Sequence, residues 1–302
     1  MRKLKAWLNA ARLRTLPLSV SGVITGTALA NFYKANDITI LFLALLTTIA
    51  FQVTSNFAND YGDGVKGTDN EDRIGPKRAM QSGLLSSTEL KNGIILSAFI
   101  SLTLVIILIY RAFGTENLLL VLVFLSLGIL SIWAAIKYTV GERAYGYRGL
   151  GDIFVFLFFG ILAVLGTMFL YTKTVTAVAV MPAIAIGALS TGVLNLNNLR
   201  DFESDKKVGK NTLIVKMGLA RGKIYHYGLL GVSFLCIIGF LVSYANRMVQ
   251  FVPLLAFLPI LFHLRKIYTI KEPESFDPEL KKLALSTFLL AVLLFISCNN
   301  FL

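Results

Sequence analysis

The stretch "ITILFLALLTTIAFQVTSNFANDYGD", from Ile38 to Asp63, decides the fold because it joins a membrane-length apolar run to two carboxylates. Its first part, residues 38–58, contains no Asp, Glu, Lys or Arg. A helix needs about 20 mostly apolar residues to cross the hydrocarbon core of a bilayer. The stretch therefore predicts a transmembrane helix that carries Asp60 and Asp63 at one end.

The whole chain has the composition of an integral membrane protein. Of its 302 residues, 56% are hydrophobic and 15% charged, and the mean hydropathy is +0.71, whereas soluble domains are about 45–50% apolar and about 25% charged. The alternation typical of barrel strands does not occur, so we expect an all-α protein with nine transmembrane helices and no removable signal peptide. The predicted spans are 16–34, 38–58, 93–113, 117–139, 151–171, 174–197, 226–245, 247–269 and 283–302.

The net charge of +12 reflects membrane topology rather than nucleic-acid binding. With the N-terminus inside, the inner segments hold 25 of the 29 Lys and Arg residues, and the outer loops hold only Lys34, Arg111, Lys173 and Arg247. This asymmetry follows the positive-inside rule. We therefore expect the N-terminus and the long loops on the cytoplasmic face of the cell inner membrane.

Two inner loops, 59–92 and 198–225, are long and charged and resemble each other. The first opens with "SNFANDYGDGVKG" and the second with "LNLNNLRDFESDKKVGKNTL", so that Asp60 and Asp201 lie four spans apart. This recurrence predicts an internal duplication that would bring the two loops face to face.

The duplication divides the chain without making separate domains. We expect two four-helix repeats, about 16–139 and 151–269, followed by a ninth helix. Together they form a single transmembrane domain over 1–302.

The acidic residues of the two loops come in pairs. Asp60 and Asp63 are spaced i, i+3, and Asp201 and Asp205 are spaced i, i+4, so each pair lies on one face of a helix that continues past its apolar run. Four carboxylates form a hard, all-oxygen site, which suits Mg²⁺ better than zinc. Asp69 is a further candidate ligand.

Basic residues accompany these carboxylates. Magnesium held by few carboxylates usually completes its coordination shell with water and substrate phosphate, so we interpret the loops as a metal-bridged diphosphate site at the membrane boundary. For any single cation, a solvated loop that sets membrane topology is the alternative interpretation. The cations are Lys66, Arg73, Lys77, Arg78, Lys206, Lys207 and Lys210.

Five blocks of sequence, in order, resemble the UbiA superfamily of intramembrane aromatic prenyltransferases, and its menaquinone branch most closely. They spread over about two thirds of the chain. They are "RTLPLS" (14–19), "NDYGDGVKGTD" (59–69), "RIGPKRAMQSG" (73–83), "YRGLGDIFVFLFFG" (147–160) and "NNLRDFESDKKVGKNTL" (197–213).

The resemblance implies an activity and its metal. Family members use Mg²⁺ to grip a polyprenyl diphosphate, and in the menaquinone branch the polyprenyl group goes to 1,4-dihydroxy-2-naphthoate with loss of CO2, giving demethylmenaquinol. The polyprenyl tail stays in membrane lipid. By this resemblance Asp60 and Asp63 hold one ion, and Asp201 and Asp205 hold the other.

The resemblance also implies supporting roles. Asn59 assists the first carboxylate pair, and Lys137 and Tyr138 lie near the diphosphate. An allylic cation left after loss of diphosphate needs a dry, electron-rich pocket. Candidate phosphate contacts are Lys66, Arg73, Arg78 and Lys210, and candidate pocket residues are Phe51, Phe57, Phe154, Phe156, Phe158 and Phe159.

Some positions depart from the family pattern. Glu142 and Arg143 stand where glycine and proline are expected, which puts the role of the 139–149 loop in doubt. Asn211 replaces a basic residue of the usual pattern and so removes one phosphate contact.

Three alternatives remain open at this point. The acceptor could be another aromatic compound of the superfamily, such as hydroxybenzoate or homogentisate, or haem. A CDP-alcohol phosphotransferase also uses membrane aspartates, but its motif requires further acids nearby, and here Val65, Lys66 and Gly67 follow. A transporter would place ionisable residues at mid-membrane, whereas these acids lie at helix ends.

Overall fold

The computed structural model describes residues 2–69 and 74–299, with the backbone alone for Arg2. All regular structure in this part of the chain is helical, and it contains no strand. The predicted all-α class is therefore confirmed. The α-helices are α1 (Arg2–Ala11), α2 (Leu16–Phe32), α3 (Ile38–Val65), α4 (Ser87–Phe113), α5 (Leu118–Lys137), α6 (Gly151–Val155), α7 (Thr167–Thr172), α8 (Val180–Arg200), α9 (Phe202–Lys207), α10 (Leu213–Met217), α11 (Leu219–Tyr244), α12 (Phe257–Thr269) and α13 (Asp277–Cys298).

Eight helical stretches among the described residues are long and apolar enough to cross a membrane. They correspond to the second to ninth predicted spans. Several combine an α-helix with a neighbouring helical segment, as in Gly151–Thr172, where the π-helical segment Phe156–Gly166 joins α6 to α7. The eight are Ile38–Val65, Ser87–Phe113, Leu118–Lys137, Gly151–Thr172, Ala177–Arg200, Leu219–Tyr244, Met248–Thr269 and Pro273–Cys298.

The first predicted span is α2, a central helix of only 17 residues. Such a helix rises about 25 Å, less than the roughly 30 Å hydrocarbon core. Eleven of its residues are buried, and most of them are small. Small residues let helices approach closely, and α2 packs against α3, α13 and the π-helical segment. In the described residues the predicted nine spans are thus eight by length and composition, plus this shorter helix.

Helix α3 carries the first aspartate pair because it extends beyond its apolar run. It begins at Ile38 and is capped by Asp37, whose side chain accepts hydrogen bonds from the Thr39 and Ile40 backbone N–H groups at 2.8 and 3.2 Å. This cap satisfies otherwise unpaired donors of the first turn. It ends at Val65. Asp60 and Asp63 therefore lie on its last turns, as their spacing predicted.

Helix α1 is amphipathic and was not predicted as a separate element. It buries Ala6 and Ala10 in a cluster with Leu90 of α4, and it exposes 65% of Leu4 and 47% of Leu8. Its alternation of buried and exposed apolar residues is typical of a helix that lies along a membrane surface.

A buried hydrogen-bond chain joins α8, α11, α12 and α13. His226 Nδ1 lies 3.1 Å from Asn195 Oδ1, His226 Nε2 lies 2.9 Å from His263 Nε2, and His263 Nδ1 lies 2.6 Å from Glu279 Oε2. All four residues are at most 2% exposed. Because a buried polar group without a partner is costly, this chain fixes how the four helices pack.

Equivalent helix pairs pack extensively in the two halves. The pairs are α3 with α4 and α8 with α11. This packing is what a duplication would produce, but the repeat bounds and the single domain over 1–302 stay predictions.

Candidate active site

A cavity of about 560 Å³ lies within the bundle. Its walls come mainly from α2, α3, α5, α8, α13 and the π-helical segment. Of the six predicted aromatic residues, Phe51, Phe154, Phe158 and Phe159 line it. Phe57 instead packs edge-on against Trp7, with ring centroids 5.1 Å apart, and Phe156 packs against Gly187 of α8.

One end of the cavity is polar and lies between the two aspartate loops. Five predicted site residues line this end, so it brings together groups from both loops. They are Asn59, Asp63, Arg78, Tyr138 and Lys210.

Asp60 is buried and serves the backbone of its own loop. Its carboxylate accepts hydrogen bonds from the Ala79 N–H at 3.0 Å and the Met80 N–H at 3.1 Å. A carboxylate is a strong acceptor for such donors. Asp60 therefore anchors the segment that carries Arg78 beneath the end of α3.

Asp63 points toward the cavity and is held by a tyrosine. The Tyr147 hydroxyl donates to Asp63 Oδ1 at 2.8 Å, and Arg78 Nη2 lies 3.5 Å from Asp63 Oδ2. Burial and the nearby Asp63 raise the pKa of Tyr147 above its ordinary value. The tyrosine hydroxyl therefore stays protonated and acts as the donor.

Arg78 also connects Asp69 to this group. Its Nε atom lies 3.5 Å from Asp69 Oδ2, and the side chains of both residues are nearly inaccessible. The predicted third acid is thus paired with a predicted phosphate contact.

Thr139, two residues beyond the end of α5 at Lys137, fixes the position of the last turns of α3. Its hydroxyl donates to the Ala58 carbonyl at 2.9 Å and to Asn59 Oδ1 at 3.1 Å, and its carbonyl accepts from Lys66 Nζ at 2.8 Å. A Cβ atom on Gly62 would lie only 2.7 to 2.8 Å from Thr139 atoms. Glycine at this position therefore permits the close approach that orients Asn59.

The second aspartate pair is held by cations. Arg200 binds Asp201 with two hydrogen bonds, Nε to Oδ1 at 2.7 Å and Nη2 to Oδ2 at 2.8 Å, and its Nη1 donates to Asp277 Oδ1 at 2.5 Å. Arg200 is only 2% exposed. Such a two-pronged arginine–carboxylate pair fixes geometry as well as charge.

Lys210 lies between the two loops. Its Nζ atom is 3.3 Å from Asp205 Oδ1. Burial lowers the pKa of Lys210, but the surrounding carboxylates outweigh it and leave the pKa above its ordinary value. In decreasing order of effect, these carboxylates are Asp205, Asp63 and Asp201. The loops that the sequence pairs by resemblance thus meet around one ammonium group.

Asp205 has the arrangement expected of a ligand. Burial raises its pKa to about 6, an effect that Lys210 opposes. Its Oδ2 atom is buried without a hydrogen-bond partner in the structure. A buried polar atom of this kind calls for an ion or a water molecule as its partner.

Other predicted residues lie away from the cavity. Lys66 Nζ lies over the Tyr147 ring, 3.9 Å from the ring centroid. Lys66 and Lys137 are both exposed. Lys77, Lys206 and Lys207 are also exposed. Arg73 lies outside the described residues.

The cavity also has polar lining residues that the sequence interpretation missed. Gln52 and Asn56, spaced i, i+4 in the apolar part of α3, are linked by a 3.1 Å hydrogen bond. Two amides on one face of a membrane helix were the signal that could have identified them. The missed lining residues are Arg12, Arg14, Gln52, Asn56, Asn197, Arg200, Asp277 and Lys281.

The donor set fits Mg²⁺, although not as one cluster of four carboxylates. Within residues 2–69 and 74–299, no three acid, histidine or cysteine side chains converge as a metal cluster, because Asp60 and Asp201 turn toward the donors described above. Mg²⁺ is usually held by one or two carboxylates, with waters and phosphate oxygens completing the shell. Asp63, Asp205 and the amide of Asn59 supply oxygen atoms of that kind.

The profile of the UbiA prenyltransferase family matches residues 19–291. The chain belongs to this family. Membership accounts for the helical bundle with two aspartate loops, and it decides against the transporter and CDP-alcohol phosphotransferase alternatives.

Two curated bacterial relatives of the chain share one enzyme name. The chain is 45% identical over 294 residues to a 1,4-dihydroxy-2-naphthoate octaprenyltransferase of Haemophilus influenzae, covering 96% of this chain and 94% of the relative. It is 42% identical over 292 residues to the enzyme of that name from Escherichia coli, with the same coverage. These relatives match along almost their whole length.

Solved structures of family members share the fold. A UbiA homologue from Aeropyrum pernix superposes with a TM-score of 0.74 at 13% identity, covering 96% of this chain and 99% of that one. A homologue from Archaeoglobus fulgidus, solved bound to DMAPP and Mg²⁺, superposes with a TM-score of 0.66 at 16% identity, covering 98% and 100%. At these identities the likeness shows the fold.

Proposed function

We propose that this protein transfers a polyprenyl group from polyprenyl diphosphate to 1,4-dihydroxy-2-naphthoate, with loss of CO2, to give demethylmenaquinol in menaquinone biosynthesis. The observation that carries this proposal is the 45% identity, along nearly the full length of both chains, to an enzyme named for that acceptor. The cavity fits the chemistry, since its polar end holds acids and cations and its walls are aromatic.

Asp63 and Asp205 would each supply carboxylate oxygens to Mg²⁺, with Asn59 assisting the first. Bound Mg²⁺ would neutralise the charge that develops on the departing diphosphate. Asp63 and Asp205 are the inner carboxylates of the two pairs, and Asp60 and Asp201 are the outer ones. The outer carboxylates keep their predicted part in metal binding. Each carboxylate oxygen has two acceptor sites, so their present hydrogen bonds leave acceptor capacity. Asp69 acts through Arg78.

Cations from both loops would receive the diphosphate. Lys210 and Arg78 line the polar end of the cavity, and Lys66 lies over the ring of Tyr147, 3.9 Å from its centroid. Hydrogen bonds from cations to phosphate oxygens are about twice as strong as neutral ones. These three residues lower the barrier to cleavage of the allylic C–O bond by stabilising the leaving group. Arg73 and Lys137 stay predictions for the same task.

The aromatic walls would protect the allylic cation. Phe154 and Phe158 stack with centroids 6.0 Å apart, and Tyr145 stacks on Phe154 at 4.0 Å. Each ring face attracts a cation by about 0.5–2 kcal/mol. The acceptor ring carbon that bears the carboxylate forms the new C–C bond with the allylic cation. Its bond to the carboxylate then breaks, CO2 leaves, and the electron pair of that bond returns to the ring.

The acceptor carboxylate would bind at the start of α2. Arg12 and Arg14 line the cavity there, next to Gln52 and Asn56 of α3. These residues offer two cations and two amides to an aromatic acid.

We further propose that the protein lies in the cytoplasmic membrane with both aspartate loops on the cytoplasmic side. The distribution of Lys and Arg supports this orientation. Both substrates would then reach the cavity from that side, with the polyprenyl tail in lipid.

The test uses purified protein in detergent with Mg²⁺ and a polyprenyl diphosphate. Dihydroxynaphthoate and hydroxybenzoate are supplied separately, and lipid product and CO2 are followed by mass spectrometry. A prenylated, decarboxylated naphthoquinol with the first acceptor alone is expected. Product with hydroxybenzoate alone would overturn the acceptor assignment, and absence of product with either would overturn the proposed function.

A further inference from the structure

Tyr147 lies in the short helical turn Tyr145–Arg148 between α5 and α6, in the loop whose role the sequence left in doubt. Its hydroxyl contacts two residues of the first aspartate loop. It donates to Asp63 Oδ1 at 2.8 Å and lies 2.5 Å from Thr68 Oγ1. An ionised carboxylate can only accept, so the tyrosine proton points to Asp63 and the Thr68 hydroxyl donates to the tyrosine oxygen.

The ring of Tyr147 contacts cations of both loops. Lys66 Nζ lies 3.9 Å from the ring centroid, and Lys210 Nζ lies 5.5 Å from it. Both distances are within the roughly 6 Å over which an ammonium group is attracted to an aromatic face. The ring therefore lets two like charges approach the same place.

The backbone around Tyr147 holds the second loop. The Tyr147 carbonyl accepts from the Asn211 N–H at 3.0 Å, directly after Lys210. The next carbonyl, that of Arg148, accepts from Lys216 Nζ at 2.7 Å. One residue thus contacts the first loop through its hydroxyl and the second through its main chain.

We propose that Tyr147 is a positioning residue that aligns the two halves of the diphosphate site. Its hydroxyl fixes the Asp63 oxygen for the metal, and its ring fixes the Lys66 and Lys210 ammonium groups for the phosphates. This inference rests on the proposed function for the identity of the ligand. Fixing flexible side chains before binding removes an entropic cost of association, so Tyr147 strengthens the binding of metal and diphosphate.

Two substitutions separate the hydroxyl from the ring. Tyr147→Phe removes the hydrogen bond to Asp63 and keeps the ring, so we expect the Mg²⁺ concentration for half-maximal activity to rise about tenfold, with KM for the donor within about twofold. Tyr147→Leu removes both, so KM for the donor should also rise about tenfold. Tyr244→Phe is the matched control, because the Tyr244 hydroxyl contacts Ser297 at 2.8 Å and neither residue lines the cavity.

A binding measurement without turnover accompanies the kinetics. Inorganic diphosphate with Mg²⁺ should raise the melting temperature of the wild-type protein. The Phe variant should need about tenfold more Mg²⁺ for the same rise, and the Leu variant should also need more diphosphate. If the Leu variant does not fold, Tyr147→Met, which also lacks an aromatic face, takes its place.

If Tyr147→Phe shows the wild-type Mg²⁺ dependence of both activity and melting temperature, the role of the hydroxyl is overturned. An unchanged donor KM in Tyr147→Leu, or in Tyr147→Met where that variant takes its place, would overturn the role of the ring. If Tyr244→Phe needs as much extra Mg²⁺ as Tyr147→Phe, the role of the Tyr147 hydroxyl would also be overturned. If the wild-type protein binds Mg²⁺ and diphosphate but prenylates neither acceptor, the proposed function fails while the role of Tyr147 is still decided by the melting data.

Discussion

The two aspartate loops hold their carboxylates by different means. In the first loop, Asp60 accepts two backbone N–H groups, and Asp63 accepts a tyrosine hydroxyl. In the second, Asp201 is bound by Arg200, and Asp205 lies beside Lys210. The N–H and hydroxyl donors to Asp60 and Asp63 are neutral, and Arg78 is farther away at 3.5 Å from Asp63. Neutral donors keep their carboxylates in place whatever ligand is present, whereas cations can exchange a carboxylate for a phosphate.

The difference assigns a distinct part of ligand binding to each loop. Buried ion pairs add little net stability, because desolvation offsets much of their attraction. The Lys210–Asp205 pair can therefore open at low cost when diphosphate and Mg²⁺ arrive, giving the cation to phosphate and the carboxylate to metal. The first loop provides the fixed half of the site.

The largest expected effect comes from removing one inner carboxylate of either loop. Asp63→Asn and Asp205→Asn should each lower kcat about 100-fold or more, because each removes a charge that holds the metal on the leaving group. Steady-state kinetics with excess Mg²⁺ measures this. Glu203→Gln, which changes an exposed acid of the same second loop, is the control, and comparable activity of Asp63→Asn and the control would remove the metal role of Asp63.

The outer carboxylates should separate the loops by stability. Asp60→Asn leaves the Ala79 or Met80 N–H poorly paired and should lower the free energy of unfolding by about 1–3 kcal/mol. Asp201→Asn leaves the buried Arg200 charge with Asp277 alone and should cost about 3 kcal/mol or more. Unfolding in mixed detergent measures both. Equal losses would show that the loops are held alike.

Turnover should be lost in both Asp60→Asn and Asp201→Asn, and retained turnover in either variant would remove the metal role of that residue.

A smaller effect should distinguish the cations. Lys210→Met should raise KM for the donor about tenfold, because Lys210 lies buried between the loops. Lys66→Met should raise it about threefold, because Lys66 is exposed and already donates to the Thr139 carbonyl. The exposed Lys206 of the second loop provides the control, Lys206→Met. A larger effect for Lys66 than for Lys210 would reverse the assignment.

The smallest effect is expected at the outer partner of Arg200. The Asp277 side chain is 41% exposed, so solvent screens its pair with Arg200. Asp277→Asn should change kcat and KM by less than about threefold. A loss as large as that of Asp201→Asn would mean that the second loop depends on α13 rather than on Arg200.

The sequence predicted the parts of the site that repeat with helical spacing. Asp60 with Asp63 and Asp201 with Asp205 follow membrane-length runs, so their places at helix ends could be inferred from period and length alone. Asp205 and Asp63 both lie close enough to Lys210 to raise its pKa. The fold class followed from the same runs. Two helices differed: α2 is short because a central helix needs small residues rather than length, and the amphipathic α1 was not predicted.

Contacts between distant residues were beyond such reasoning. The partners of Asp60 lie 19 and 20 residues away, and Tyr147 lies 84 residues from Asp63. No local pattern pairs these groups, because tertiary packing alone brings them together. The π-helical segment that contains Phe158 and Phe159 has no periodic signal in an all-apolar run. Arg200 likewise contacts Asp277, 77 residues away.

The central claim is that both loops bind one diphosphate, and its most direct test is Mg²⁺-dependent binding of a non-reactive thiolodiphosphate donor analogue. Calorimetry compares the wild-type protein with Asp63→Asn, Asp205→Asn and the double variant. We predict that each single substitution weakens binding about tenfold or more, and that the double variant loses less than the sum, because both act on one site. Wild-type affinity in either single variant, or losses that add in full, would contradict a shared site.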